Sequence, residues 1–315
     1  MHSTPDSLVL GFAASLDADS FRPFVNSLRA TGFRGKFGLI TAKCSPEQRR
    51  QLAALADIHW DVDAEFLGQN ATTWATPALR RMRNTRGARR AYPLAFQALA
   101  RVGPERTVQA RWERLEYEME GLQSLRYRLY HEFLQTYAPD ADLILLSDLR
   151  DVVFQADPFS EPVRGLEVYL EDEASKLGSD PFNSRWLIDL YGETGLHRIA
   201  NQCTSCSGTT VGDRRAILDY LMQMSLAIQW RRRPMGSHDQ GVHNWLLRSG
   251  RLREARIVAN ARGRVLTMGL MPGIKRAADG TVLNDDGSIP SILHQYDRHP
   301  ELAAELLAVV GARKF

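Results

Sequence analysis

The chain has 315 residues, 44% hydrophobic and 24% charged, with a formal net charge of +3 and a pI near 8.8. That is ordinary globular composition, long enough to bury a large core without covalent staples. The mildly basic balance accepts an anionic ligand and does not point to nucleic acid, and no run reaches the ~18–20 apolar residues of a membrane span.

The N-terminus lacks a basic segment, and its short apolar run, Leu8 to Ala14, reads as a first buried strand and not as a signal peptide. Asp17 to Asp19 offers a helix N-cap; Phe21, Phe24, Val25 and Leu28 follow at helical spacing, and Gly32 ends that helix. Lys36 to Ala42 is a second strand. Ser45 as N-cap and Pro46 at the first helical position open a helix carrying Leu52, Leu55 and Ala56. Ile58 to Val62 is a third strand. This β-α-β-α-β rhythm predicts a parallel sheet with a nucleotide-sized crevice at the C-terminal ends of its strands.

Residues 64–114 break the rhythm. Arg80, Arg81, Arg83, Arg86, Arg89 and Arg90 crowd this stretch beside Asn84 and Gly87. It reads as a solvated insertion. The functional alternative is contact with an anionic acceptor or, peripherally, with a membrane surface; the lack of interleaved aromatics speaks against nucleic acid. Trp112 to Tyr137 is helical, with Leu115, Met119, Leu122, Leu125, Leu129, Phe133 and Leu134 near one stripe and Arg126 and Arg128 among aromatics. An apolar strand, Leu143 to Leu146, then ends in Ser147-Asp148-Leu149-Arg150-Asp151, and a second apolar run leads to Asp157-Pro158-Phe159.

Glu167 to Leu170 is another strand. Cys203 to Asp213, small and polar, reads as a ligand-lining turn more than a packed element. Ile217 to Trp230 is a helix, and the polar start of His238 to Leu247 opens another. Asn284-Asp285-Asp286-Gly287 is a turn, and Leu302 to Val309 is a short amphipathic helix. No repeat or linker divides the chain. One α/β domain over 1–315 is expected: a nucleotide-binding part over 1–63, the arginine-rich insertion over 64–114, and a metal, donor-sugar and acceptor part over 115–315. The cysteines, Cys44, Cys203 and Cys206, argue against a secreted disulfide framework and for a reducing, cytoplasmic compartment. Cys203 and Cys206 are formally C-x-x-C. Zinc would need a second pair, and a thioredoxin-like site a small domain of its own, so they read as plain loop cysteines.

Asp148 and Asp151 follow a buried strand, where the chain turns and the pleat no longer forces alternation. Hard divalent cations take oxygen ligands, and one or two carboxylates plus substrate phosphates commonly hold Mg2+ or Mn2+. The structural alternative is an Asx-turn with an ion pair to Arg150.

The order of the motifs resembles that of the metal-dependent glycosyltransferases of GT-A fold, of the glycogenin-like and retaining bacterial galactosyltransferase type. Those families run strand–helix–strand from the N-terminus. A helix bearing an arginine follows, then an apolar strand ending in Asp-x-Asp, an Asn-x-Gly loop, an Asp-Gln helix start and a late metal-binding histidine. This chain offers Arg126 or Arg128, then Leu143 to Asp151, then Ser205-Cys206-Ser207-Gly208, then Asp239-Gln240, then His294. It departs from the pattern in three places. The carboxylates stand i, i+3, Ser-Gly replaces Asn-x-Gly, and His294-Gln295-Tyr296-Asp297-Arg298-His299-Pro300 replaces a lysine-bearing motif, with Arg298 as the available cation. Asp148 to Phe159 also resembles the D-x-R-D-V-x-F-Q-x-D-P-F run of other glycosyltransferase-like chains.

The resemblance implies a GT-A-type, Rossmann-like, mostly parallel sheet with flanking helices. It implies hexose transfer from a UDP- or GDP-type nucleotide sugar to a glycan, glycolipid or polysaccharide acceptor, with Mn2+ or Mg2+ held by Asp148, Asp151 and His294. Donor contacts would come from Ala13, Ala14, Arg126, Arg128, Asp148, Ser207, Gly208 and Arg298. Asp239 would meet sugar hydroxyls, and Gln240 would lie near the anomeric carbon with its configuration retained. Plain structural roles stand beside these. His294 competes with His238, His243 and His299, Asp239 is equally a helix N-cap, Ser207-Gly208 is equally a turn, and Arg126 and Arg128 equally line a solvated face. One rival function is a nucleotidyltransferase or phosphotransferase, against which the missing G-x-x-x-x-G-K-[ST] counts. The other is a glycan- or nucleotide-binding protein with a decayed site.

Overall fold

A computed structural model describes residues 6–67, 122–230 and 238–312. The arginine cluster of 80–90 and the helix start at Trp112 lie outside the described residues.

The N-terminal rhythm is present as β1 (Ser7–Ala14), α1 (Arg22–Ala30), β2 (Lys36–Ala42), α2 (Pro46–Ala53), β3 (Ile58–Asp61) and α3 (Val62–Leu67). A short 3-10 turn, Ala18–Ser20, precedes α1, so Asp17 caps that turn and its side chain makes no capping bond. Phe21, Phe24 and Leu28 are buried, as their spacing requires. Ser45 closes a reciprocal capping box at α2: its hydroxyl accepts from the Gln48 amide at 3.2 Å while the Gln48 side chain accepts from the Ser45 amide at 2.8 Å. That helix stops at Ala53, which leaves Leu55 and Ala56 in the connection, and Val62 opens α3 instead of closing β3.

The chain continues as α4 (Leu122–Thr136), β4 (Leu143–Ser147), β5 (Val152–Phe154), β6 (Leu166–Leu170), α5 (Pro181–Ile199), β7 (Ser205–Asp213), α6 (Arg214–Trp230), α7 (Asp239–Arg248), β8 (Arg256–Val258), β9 (Val265–Thr267), β10 (Ile292–His294) and α8 (Pro300–Ala312). The main sheet has the order β3-β2-β1-β4-β7-β6-β8. All its strands are parallel except β7, which is antiparallel to both β4 and β6. The order reverses at β1, whose neighbours are β2 and β4. That reversal opens a crevice at the C-terminal ends of β1 and β4.

The segment Cys203 to Asp213 is not a turn. Ser205 to Asp213 forms β7, paired with β4 over Thr209–Asp213 and with β6 at Thr210 to Gly212 and, past a register shift, at Ser205. Its composition misled because Ser205, Thr209 and Thr210 are buried while polar, with the backbone ladder carrying the strand. Where the β6 register shifts, between Val168 and Leu170, the Asn244 side chain stands in for a strand. It accepts from the Ser205 amide at 2.9 Å and donates to the Ser205 carbonyl at 2.8 Å. Cys206 is therefore a buried strand residue, not a loop cysteine.

A smaller sheet, β5-β10-β9, sets β10 antiparallel to β5 and parallel to β9. Arg264, 3% exposed, pins the loop between the sheets. It donates to the carbonyls of Pro158 and Pro162 at 2.8 and 3.0 Å, and its Nε meets Glu167 at 3.0 Å. A buried guanidinium with all these partners is tolerated, whereas an unpaired one would not be.

Candidate active site

Leu149 explains how an i, i+3 carboxylate pair acts together. It is buried beneath β1, where Gly11 makes room; a Cβ there would stand 2.3 Å from Leu149 Cδ2. With Leu149 pulled inward, Asp148 and Asp151 bracket the anchored turn. Pairing of β10 with β5 sets His294 opposite Val152, beside Asp151, and the Gln295 amide donates to the Asp151 carbonyl at 2.7 Å. His294 Nε2 then lies 4.0 Å from Asp148 Oδ2 and 4.0 Å from Asp151 Oδ1.

Three ligand atoms, one from each residue, lie within 4.8 Å of one another. Three ligands about 2.1 Å from one ion stand at most ~3.6 Å from each other when evenly spread, so the group must draw in by roughly half an ångström to one ångström to close on a divalent cation. Two further observations fit. His294 is 1% exposed and turns Nε2 to both carboxylates, so the nitrogen facing them is shielded from solvent. A Cβ on Gly208 would stand 2.5 Å from Asp148 Oδ2 and 2.8 Å from His294 Nε2, so only glycine leaves the cradle open. Two carboxylates with one imidazole suit Mn2+ better than Mg2+, which prefers oxygen and retained water.

The two oxygens of Asp148 divide their work. Oδ2 faces His294, while Oδ1 accepts from Arg126 Nη1 at 2.6 Å. The same guanidinium donates from Nη2 to Asp239 Oδ2 at 2.6 Å, and the Tyr127 hydroxyl donates to that oxygen at 3.0 Å. Burial alone would depress the arginine; Tyr127, Asp239 and Asp148 outweigh it and hold its pKa above the usual value. Asp239 begins α7 one residue inside the helix. The N-cap position belongs to His238, so the Asp239 carboxylate serves α4 and not its own helix end.

Gln240 is oriented by its neighbours. Asp180 caps α5 and accepts from the Asn183 side-chain amide at 2.9 Å, so the Asn183 oxygen is turned the other way. It accepts from Gln240 Nε2 at 3.1 Å, and Glu171 Oε1 lies 3.5 Å from the same nitrogen. Both donors of the glutamine amide are directed into protein, and its carbonyl oxygen is the end left for the pocket.

Arg126, Asp148, Asp151, Asp239 and Gln240 line one cavity of about 530 Å³ with Ala14, Ser207, Gly208, Trp186, Gln295, Arg150 and Arg298, whereas His294, Tyr127, Glu171 and Asn183 are not on that lining. Ala13 is fully buried in the core, one residue off that lining, and Arg128 is not on it; two residues apart on a helix, Arg126 and Arg128 point different ways. The other histidines sit elsewhere. His243 bridges the hydroxyls of Ser205 and Tyr220 at 2.9 Å each, and its burial drives its pKa down to about 3. His299 meets the Met268 carbonyl at 2.8 Å, and His238 pairs with Asp189.

The site is rich in negative charge. Burial raises the pKa of Asp151, with Asp148 and Asp297 adding to the rise and His294 opposing it; burial likewise raises Glu171. A bound cation would relieve the crowding at Asp151. Glu171, Asn183, Tyr127 and Trp186 escaped the sequence reading. Two left signals: Glu171 directly follows strand β6, and Asp180-Pro181 is a helix-start pair that places Asn183 in the first turn.

No family model matches the chain, and no curated protein matches it. Among solved structures, it is similar to a galactosyltransferase, LgtC, in complex with donor and acceptor sugar analogues. The similarity covers 98% of this chain and 96% of that one, at 11% identity and a TM-score of 0.48. No described helix is long and apolar enough to cross a membrane.

Proposed function

We propose that this chain is a metal-dependent glycosyltransferase that moves a hexose from a nucleotide-diphosphate sugar to a glycan, glycolipid or polysaccharide acceptor, with retention of anomeric configuration. The observation that carries the reading is the Asp148–Asp151–His294 group, kept open by Gly208 at the C-terminal ends of β1 and β4. Mn2+ or Mg2+ held there would supply the positive charge that stabilises a departing nucleoside diphosphate.

The chain's own residues do the rest. Arg126 fixes Asp148 and Asp239 with one planar fork, so metal ligand and sugar ligand hold a constant relation. Arg126, Tyr127 and Ser207 all meet Asp239 Oδ2, and we assign Oδ1 to donor-sugar hydroxyls. Arg298, about half exposed on the rim, is placed to meet the diphosphate. Gln240 presents its carbonyl oxygen, which favours a carbon gaining positive charge and is too weak a base to deprotonate an acceptor. The single-domain division, the cytoplasmic location and the anionic or membrane contact of the Arg80–Arg90 stretch belong to this proposal.

The test is a panel of UDP- and GDP-sugars with and without Mn2+. Slow, Mn2+-dependent donor hydrolysis supports the reading. Pyrophosphate release would assign a nucleotidyltransferase, and binding without turnover a decayed site.

A further inference from the structure

Helix α5 carries two neighbouring aromatic rings at the cavity's edge. Trp186 lines the cavity with Asp239 and Gln240, and its backbone side rests against α7, where a Cβ on Gly241 would stand 3.2 Å from Trp186 Cβ. One helical turn earlier, Phe182 is 67% exposed, and the two ring centroids are 6.1 Å apart. Phe182 does not line the cavity. The pair therefore leads outward, from the wall beside Gln240 to open surface. The His238 ring stands 6.3 Å from Trp186 and pairs with Asp189 at 3.4 Å, which brings polar groups to this row of rings.

A lone exposed ring needs no cover, but Phe182 is not alone: with Trp186 it makes a continuous aromatic surface running out from the cavity. Its surroundings indicate the cover. A lipid tail or a flat protein face would want apolar neighbours, whereas Trp186 shares its cavity with Asp239 and Gln240 and its ring neighbour His238 pairs with Asp189. A sugar ring has both characters. Its C–H face carries weak positive charge that suits the negative face of an aromatic ring, and its hydroxyls need donors and acceptors around the rim. Two rings in succession suit a ligand with two sugar units in succession.

We propose that Trp186 and Phe182 form a stacking platform for an oligosaccharide acceptor, the terminal sugar over Trp186 beside Gln240 and the next sugar over Phe182. This rests on the glycosyltransferase reading of the neighbouring cavity. It narrows the acceptor to a glycan of at least two rings and makes Phe182 the residue that senses its length.

The test is direct binding without donor. A panel of methyl glycosides and their matching disaccharides is titrated against the whole protein and read by saturation-transfer NMR and calorimetry. In the unaltered protein disaccharides bind more tightly than methyl glycosides. Trp186→Ala weakens both at least tenfold, and Trp186→Phe restores most of the loss. Phe182→Ala removes the disaccharide advantage and leaves methyl glycoside affinity unchanged; at 67% exposure this substitution does not threaten the fold. Equal affinities in unaltered and Phe182→Ala proteins overturn the proposal, as does failure of the unaltered protein to bind any sugar of the panel. A concentration-dependent dimer abolished by Phe182→Ala also overturns it and assigns the rings to self-association. Binding of UDP or GDP with Mn2+ to the unaltered protein is measured alongside. If nucleotide binding fails while the sugar results hold, the platform stands and the catalytic reading falls. If nucleotide binds and the variants bind sugar as before, the platform alone falls.

Discussion

Gly208→Ala adds one methyl group to the strand that floors the proposed metal site. The new Cβ would stand 2.5 Å from Asp148 Oδ2, 2.7 Å from His294 Cε1 and 2.8 Å from His294 Nε2. Ordinary contact begins near ~3.5 Å, so relief needs about 1 Å of movement at the carboxylate and about 0.7 Å at the imidazole. Neither group yields easily. Asp148 is tethered through Oδ1 to Arg126 at 2.6 Å, and His294 is almost fully enclosed. Metal sites tolerate distance errors of about 0.2 Å, and even indirect disturbance of ligands commonly costs ~10–100-fold in affinity. Gly208→Ala is therefore expected to weaken Mn2+ binding by at least that factor, or about 1.4–2.8 kcal/mol. Its φ is not in the left-handed region, so backbone strain adds nothing. Gly273→Ala is the control, since a Cβ there meets nothing within 4 Å. Calorimetric Mn2+ titration of both variants decides the matter. A Gly208→Ala protein that binds Mn2+ with wild-type affinity would refute the cradle and, with it, the assignment of these residues to a cation.

Three further outcomes are expected. Asp151→Ala should lower Mn2+ affinity by at least ~100-fold, yet leave the metal-free melting temperature unchanged or higher, because it removes a buried carboxylate whose ionisation burial already disfavours; His294→Ala should weaken Mn2+ binding as well, and a lower melting temperature with unchanged metal affinity would assign it to structure. Gln240→Ala should lower turnover far more than donor affinity, Asn183→Leu should reproduce part of that loss by releasing the amide, and NMR of the new glycosidic bond should show retention; an inverting product removes Gln240 from this role. His243 should make the protein acid-sensitive: with a folded pKa of about 3 against ~6.5 unfolded, its contribution is full above pH 6.5 and is lost as pH falls toward 3, about 2 kcal/mol by pH 5. Asp151 and Glu171, whose pKa values are raised, act in the opposite sense, so the check compares urea unfolding of wild type and His243→Gln at pH 5 and 7, and equal slopes would exclude the histidine.

What the sequence revealed and what it hid divide along a physical line. Strand and helix starts with local chemistry were legible: the alternation-free apolar run of β1, the Ser45-Pro46 cap of α2, the polar opening of α7. These signals lie within a few residues of the feature they mark. Strand β7 was not legible, because Ser205, Thr209 and Thr210 gain their place from pairing with β4 and β6 and from the Asn244 side chain, all distant in sequence. The ordered motifs brought Asp148, Asp151 and His294 together on paper. Only the β5–β10 pairing puts the histidine beside the carboxylates in space. Tyr127 and Asn183 were missed for the same reason. A buried phenol on a helix stripe looks like packing until its hydroxyl is found on Asp239.

The placement of Arg126 has a consequence for how the site behaves as a whole. Its side chain is only 11% exposed, and its two terminal nitrogens are each committed to a carboxylate of a different element, one after β4 and one at the start of α7. Removing either carboxylate leaves a buried cation half-paired, which costs more than the lost bond itself. Asp148 and Asp239 therefore do not act independently, although one faces His294 and the other begins α7. Were a cation held at Asp148 Oδ2, the Arg126 contact at Oδ1 would weaken and Asp239 would hold the guanidinium more strongly. Tyr127, donating to the same Asp239 oxygen, keeps that carboxylate from following. In this arrangement the proposed metal group and the carboxylate proposed to meet the sugar are tied through one residue, which the sequence offered as a donor contact or as part of a solvated helix face.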